Sequence, residues 1–161
     1  MSRPELPNDH RGRVLLYHGR GWVSRAVRWQ TWGPYSHAAI LMPCHEWLVE
    51  SWWQGGVQHV PIRDWSGVDC YDVPSMTVFD WSVASDYAMR QVGCGYDFAG
   101  ILRFIRRGRG CPDSRWFCSE LVYAALAQAG TELFARIEPW QVSPSMLSYS
   151  PRIVPDIVPP K

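Results

Sequence analysis

Two residues of the chain, Cys118 and His37, have the types and positions that thiol chemistry requires. Cys118 lies in the first turn of the strongest helical pattern, where unpaired backbone N–H groups and the helix dipole favour a negative charge. A thiol in such a position ionises more readily, and the thiolate is the reactive nucleophile. The same N–H groups can stabilise the oxyanion that forms when a carbonyl group is attacked.

His37 opens a predicted strand directly after the turn at residues 33–36. A histidine fixed on a strand can take the proton of a thiol and return it to a leaving group. The pattern alone leaves a structural role open for both residues, because a buried cysteine is usually a small hydrophobic side chain. A histidine at a strand end can equally be a satisfied structural residue.

Strand patterns dominate the first half of the chain. Alternating apolar residues and turn residues predict strands over residues 14–17, 37–42, 47–53, 57–62 and 68–73. A short helix is predicted over residues 22–31, and Trp22, Ala26 and Trp29 lie on one side of it.

The second half of the chain follows a helical period. Asp80 is predicted to cap a helix that runs through Val92, and a second helix is predicted over residues 97–107. The third helix covers residues 117–129, and Gly130 is its stop signal. Its apolar face comprises Cys118, Leu121, Val122, Ala125 and Ala129.

The grouping of strands before helices indicates the α+β class. Ser143 and Pro144 begin a further helical turn, and the Pro-rich tail is predicted to run extended. A length of 161 residues fits one domain. Residues 1–12 and 152–161 are predicted to be extended or flexible termini of that domain.

Composition excludes several classes of protein. With 47% hydrophobic and 19% charged residues, the chain is not intrinsically disordered, and a net charge of +1 gives no indication of a nucleic-acid partner. The five cysteines form no CxxC pair, which favours a reduced interior. A polar N-terminus and the lack of an apolar run of about 18 residues predict a cytoplasmic protein without stable membrane insertion.

Arginines are concentrated in two stretches, and each is either a basic patch or a solvated surface. They are Arg11, Arg13, Arg20, Arg25 and Arg28 in the first stretch, and Arg103, Arg106, Arg107, Arg109 and Arg115 in the second.

Several motifs resemble those of NlpC-type cysteine peptidases. The run Phe-Cys-Ser-Glu-Leu-Val at residues 117–122 resembles their nucleophile motif, residues 96–100 resemble the tyrosine-containing segment before it, and residues 34–40 resemble the histidine strand. Because the histidine here precedes the cysteine, the order resembles that of the circularly permuted branch of the family. That branch includes YiiX-like hydrolases and, more distantly, lecithin–retinol acyltransferase-like enzymes.

The resemblance to YiiX-like proteins extends over about residues 13–151, since residues 13–29 and 142–147 share it. It implies a permuted papain-like fold, in which a small antiparallel sheet packs against helices and the nucleophile begins a helix. It also implies a thiol hydrolase without cofactor or metal, of bacterial or phage origin.

The resemblance assigns roles to two further residues, and strand alternation assigns one to Trp52, where the family tends to have a smaller residue. Glu50, on the strand after His37, corresponds to the glutamate that orients the catalytic histidine, a role in which a carboxylate fixes the imidazole tautomer. Tyr96 resembles the family tyrosine close to the nucleophile, and its hydroxyl is either an oxyanion or substrate donor or part of the core. Trp52 shares a strand face with Glu50 by alternation and is expected to form an apolar wall of the site.

Trp52 and the arginine-rich loop at residues 108–115 together suit a substrate with an acyl or apolar part and an anionic part. A small molecule, a peptide such as an acidic cell-wall stem peptide, and a lipid with a charged head group all fit this description. The bond to be cleaved stays open among peptide, N-acyl amide, lipid ester and protein amide, and so does the oligomeric state.

Three other functions are compatible with the sequence. One is a metal site built from Cys94, Cys111, Cys118 and histidines, although their spacing matches no standard zinc motif. Another is a non-catalytic module of the same fold that binds a lipid, a glycan or a protein. The third is an acyltransferase.

Overall fold

The computed structural model describes residues 6–62, 64–97 and 115–156. Its main sheet is built from β1 (Arg13–Tyr17), β2 (His37–Leu41), β3 (Trp47–Trp52), β4 (Gly56–Pro61), β5 (Val68–Asp72) and β8 (Val154–Pro155). The strand order is β4-β3-β2-β1-β5-β8, and every neighbouring pair is antiparallel. A separate parallel pair joins β6 (Gly95–Tyr96) to β7 (Arg115–Trp116).

The α-helices in the described part of the chain are α1 (Trp22–Thr31), α2 (Val78–Arg90), α3 (Cys118–Gln128) and α4 (Pro144–Tyr149), and a short 3₁₀ helix covers Pro139–Gln141. Gly130 follows α3 with a positive φ of 81°, the conformation that favours glycine after a helix. Ser143 caps α4 by accepting a hydrogen bond from the backbone N–H of Met146.

Each face of the main sheet carries a buried apolar cluster. On one face, Val14, Ile40 and Val49 belong to a buried cluster that includes Trp81 of α2 and Leu121 of α3. On the other face, a second cluster forms around Leu15, Ala39, Leu41 and Leu48, with Ile62 and Trp65 packed against it. The α+β class and the antiparallel sheet packed against helices are therefore confirmed.

The start of α2 differs from the sequence prediction. Thr77, and not Asp80, caps the helix, because the Thr77 side chain accepts a hydrogen bond from the Asp80 N–H. The carboxylate of Asp80 in turn accepts a hydrogen bond from the Thr77 N–H, and the two bonds together form a capping box. The helix ends at Arg90 and does not reach Val92. The predicted helix over residues 97–107 and the loop at residues 108–114 lie outside the described residues, except for Asp97.

Segments near both ends are held to the sheet where the structure describes them. Asp9 forms ion pairs with Arg11 and Arg13, and β8 pairs with β5. Asp156 accepts a hydrogen bond from the buried Arg13 guanidinium. Among the described residues, no helix is long and apolar enough to cross a membrane.

Candidate active site

His37 and Glu50 form the centre of the site. Nε2 of His37 lies 2.6 Å from Oε2 of Glu50, on the adjacent strand. In the register of β2 and β3, Glu50 pairs with Ala39, so the two side chains are diagonal neighbours. The other carboxylate oxygen of Glu50 accepts a 2.8 Å hydrogen bond from Nε2 of Gln58, which lies directly opposite on β4. Both oxygens of the carboxylate are thus held in place.

The electrostatics favour a charged His37. Burial alone lowers the pKa of His37, but the charge of Cys118, a hydrogen bond to its side chain and the carboxylate of Glu50 together raise this pKa to about 10. Burial also works against ionisation of Glu50, but the hydrogen bond and charge of His37 hold the pKa of Glu50 below its ordinary value. The result is an imidazolium between two acidic groups.

Cys118 is the first residue of α3, and its side chain is almost fully buried. Because Nε2 of His37 is bonded to Glu50, the remaining ring nitrogen, Nδ1, is left for the contact with the Cys118 thiol. Val27, Phe117 and the partly buried Tyr96 pack around Cys118. The arrangement places a thiol, an imidazole and a carboxylate in sequence, with the thiol at a helix N-terminus.

Hydrogen bonds from the neighbouring segments fix these three side chains relative to one another. Ser51, the residue after Glu50, donates a 2.6 Å bond to the carbonyl oxygen of Trp116, two residues before Cys118. Ser119 donates a 2.6 Å bond to the carbonyl oxygen of Val142 and anchors the first turn of α3. On the histidine side, Ser36 accepts a bond from the Gly19 N–H and donates to the carbonyl oxygen of Tyr17.

Two connected clefts adjoin His37. The larger has a volume of about 490 Å³ and extends over Tyr17, Glu50, Gln58 and apolar residues of β3, β4 and the segment after it. The smaller, of about 300 Å³, lies between α1 and Tyr96. Gly19 lines both clefts, and a Cβ atom there would lie 2.3 Å from Oγ of Ser24, so a larger residue would require the Ser24 side chain to shift.

Trp52 also lines both clefts and contacts His37 edge-to-face, with ring centroids 5.0 Å apart. It shares the strand face of Glu50, as the alternation predicts, and it forms an apolar wall beside the histidine. The sequence also predicts that the arginine-rich loop at residues 108–115 contributes to the substrate site. This loop lies outside the described residues, apart from the exposed Arg115.

Tyr96 lies close to Cys118, and its ring centroid is 5.9 Å from that of Phe117. Burial, followed by the charges of Cys118 and Asp97, raises the pKa of the Tyr96 hydroxyl. The phenol therefore stays protonated and able to donate a hydrogen bond beside the thiol. Both roles that the sequence suggests for Tyr96, donor and core aromatic, are consistent with this position.

The structure separates His45, in the turn between β2 and β3, and His59 of β4 from this site. Nε2 of His45 is bonded to the carbonyl oxygen of Arg11, and the ring of His59 packs on that of Trp47 at 4.9 Å between centroids. Gln58, Ser51 and Ser36 have no local signal in the sequence, because their contributions depend on strand register and on contacts between distant segments.

Comparison with solved structures finds a match over almost the whole chain. A crystal structure described as the metalloprotein yiiX from Escherichia coli O157:H7, DUF1105, matches with a TM-score of 0.71. The two sequences are 19% identical, and the match covers 92% of this chain and 97% of the other. Comparisons with protein-family models and with curated proteins give no match. The likeness establishes a YiiX-like fold.

The description of that neighbour raises the question of a metal in this chain. Within residues 6–62, 64–97 and 115–156, no three His, Cys, Asp or Glu side chains are grouped so as to hold a metal ion. Nε2 of His37 and both oxygens of Glu50 are already engaged in hydrogen bonds within the site. These residues do not fit a metal centre.

Proposed function

We propose that the chain is a cysteine hydrolase that cleaves an amide or ester bond through a thioester on Cys118. The observation that carries this proposal is the position of His37 between the carboxylate of Glu50 and a thiol at the first residue of α3. The YiiX-like fold and the histidine-before-cysteine order support a permuted papain-like enzyme of the NlpC type.

In the proposed reaction, the thiolate of Cys118 attacks the carbonyl carbon of the substrate. The oxyanion that forms is stabilised by the N-terminus of α3, where the partial positive charge of the helix lies. The imidazolium of His37 protonates the leaving amine or alcohol, and the collapse of the intermediate leaves an acyl thioester. Water, deprotonated by His37, then attacks the thioester and releases the acid and the thiol. Glu50 holds the imidazole in the required tautomer throughout.

The clefts indicate the class of substrate. The larger one is bounded by apolar side chains, among them Trp52, Val60 and Ile62, and it suits an acyl chain or another apolar group. The smaller one is lined by Arg20, whereas Glu50 and Asp64 line the larger one, so the smaller cleft suits an anionic group on the other side of the scissile bond. Substrates with an acyl or apolar part joined to an anionic part match this division.

A non-catalytic binding module is the alternative, and the burial of Cys118 favours it. Its side chain is only 1% exposed, so a substrate reaches it only after Val27 or Tyr96 moves aside. Against this alternative, a binding surface gains nothing from a buried imidazolium held between a carboxylate and a thiol, since such a group is costly to bury.

A substrate panel followed by intact mass spectrometry tests the proposal. We expect an acyl adduct on Cys118 with at least one amide or ester that joins an apolar acyl group to an anionic group, and faster turnover than with the matching neutral compound.

Trp52→Ala should weaken the preference for the apolar part. Water as acceptor yields the free acid, whereas transfer to an added amine or alcohol identifies an acyltransferase. The absence of any adduct across amides, esters and thioesters would favour the binding module.

A further inference from the structure

Helix α1 presents an exposed tryptophan face. Trp22 and Trp29 are 80% and 76% exposed, and Trp32, at the C-terminal cap of the helix, is 88% exposed. On the other side of the helix, Val27 is buried against Cys118. Side chains of this size, exposed together on one short helix, mark a surface that binds something else.

The segment that contains α1 carries positive charges and no acidic residue. Residues 18–32 contain Arg20, Arg25 and Arg28 and no Asp or Glu. Earlier in the chain, Arg11 and Arg13 are engaged by Asp9, Asp72 and Asp156. Arg20 and Arg25, by contrast, are exposed and lie outside the ion pairs formed by the described residues. Of the first arginine stretch, only the part on and beside α1 is therefore available to an anionic partner.

We propose that this face of α1, formed by Trp22, Trp29 and Trp32 with Arg25, docks on an anionic lipid surface. Tryptophan prefers the boundary between lipid and water, where its apolar ring and its N–H group are both satisfied. Arginine beside it is attracted to acidic head groups. Amphipathic helices with this composition lie in the plane of the interface and do not cross the bilayer.

Charge argues against a second copy of the chain as the occupant. A symmetric dimer through α1 would bring the arginines of two identical helices together without an acidic residue from either α1 segment. Such like-charge contacts oppose association. An anionic bilayer supplies the missing negative charge over the whole face.

The docking face is continuous with the candidate site. Trp22 and Arg20 line the smaller cleft together with His37 and Tyr96. A lipid surface in contact with α1 therefore lies at the mouth of that cleft. Surface binding itself does not depend on the proposed hydrolase activity, so Cys118→Ala should bind vesicles as the unmodified chain does.

The test is co-sedimentation of the full chain with vesicles of phosphatidylglycerol and phosphatidylcholine, and with vesicles of phosphatidylcholine alone. We expect binding to the anionic vesicles, weakened by salt, together with a blue shift of tryptophan fluorescence. The double substitution Trp29→Ser and Trp32→Asn should weaken binding at least about tenfold, because it removes two large apolar contacts. Arg25→Gln should weaken it by about fivefold.

Phe79→Ser is the matched control, since Phe79 is 73% exposed in the first turn of α2 and should not affect vesicle binding. Thermal unfolding checks that each variant is folded. The proposal is overturned if the unmodified chain stays in the supernatant with anionic vesicles, or if the double variant binds as well as the Phe79 control. A dimer in sedimentation velocity that is lost in the double variant would also overturn it, because a second copy would then cover the face.

Discussion

Replacing Cys118 by Ala is expected to abolish turnover, with a loss of about a thousandfold or more, while the fold stays intact. The thiol is the only group in the proposed mechanism that forms a bond to the substrate, so no neighbouring side chain can replace it. His37→Ala should lower turnover by about a hundredfold to ten-thousandfold, because it removes both the base and the acid of the reaction. Steady-state turnover of the best substrate in the panel measures both effects.

His59→Ala and Cys44→Ala are the matched controls for these variants. His59 packs on Trp47 away from the cleft, and Cys44 is exposed in a turn, so both should keep nearly full activity. Circular dichroism separates loss of chemistry from loss of fold. A fully active His37 variant would remove the imidazole from the mechanism and with it the proposed reaction.

Glu50→Gln is expected to lower turnover by about tenfold to a hundredfold, the cost of removing a charge-assisted hydrogen bond. The pH profile should change as well. The pKa of His37 is raised to about 10, so its imidazolium persists at neutral pH and is lost only as the pH rises through that value. Removing the Glu50 charge removes one cause of the increase, and the alkaline limb should therefore move to lower pH.

Glu50 contributes to the acid limb. Its pKa is depressed by His37, so the carboxylate stays charged from neutral pH down to values below its ordinary range, and the pair is lost only as the pH falls through that depressed pKa. The rate of turnover against pH measures both limbs. Glu46→Gln, which neutralises an exposed glutamate, is the control and should leave the profile unchanged. An alkaline limb at the same pH in Glu50→Gln would contradict a direct effect of Glu50 on His37.

Local patterns in the sequence were sufficient to predict β2, β3, β4 and α3 beside the site, but not the short parallel pair of β6 and β7. Strands with apolar alternation, such as β2, and a helix with a clear stop signal, such as α3, need only local information. Thr77 was missed because Thr77 and Asp80 are both good capping residues, and their reciprocal hydrogen bonds decide the boundary only in the folded helix. The tryptophan side of α1 was predicted, but its exposure depends on what else packs there.

The hydrogen bond between Glu50 and Gln58 could not be predicted from the sequence, because it depends on the register of β3 and β4. The predicted strands end at residue 53 and begin again at residue 57, and a hairpin between them would place Glu50 opposite Val60. In the structure β3 ends at Trp52 and β4 begins at Gly56, so Glu50 lies opposite Gln58. Gly56 begins β4 with a φ of 71°, and a Cβ atom there would lie 2.1 Å from the carbonyl oxygen of Cys94. The close approach to Cys94 requires glycine at this position, and no local pattern in the sequence contains that contact.

Thiol labelling tests most directly whether Cys118 is a nucleophile activated by His37. At about pH 6, substoichiometric iodoacetamide should modify Cys118 first, since ordinary thiols are largely protonated there. Burial raises the pKa of Cys70 to about 12, so this thiol should react slowly with iodoacetamide. The exposed Cys44 serves as an internal reference. His37→Ala should slow the labelling of Cys118 and leave that of Cys44 unchanged. Peptide mapping that finds Cys44 or Cys111 modified first, with Cys118 untouched, would contradict the account.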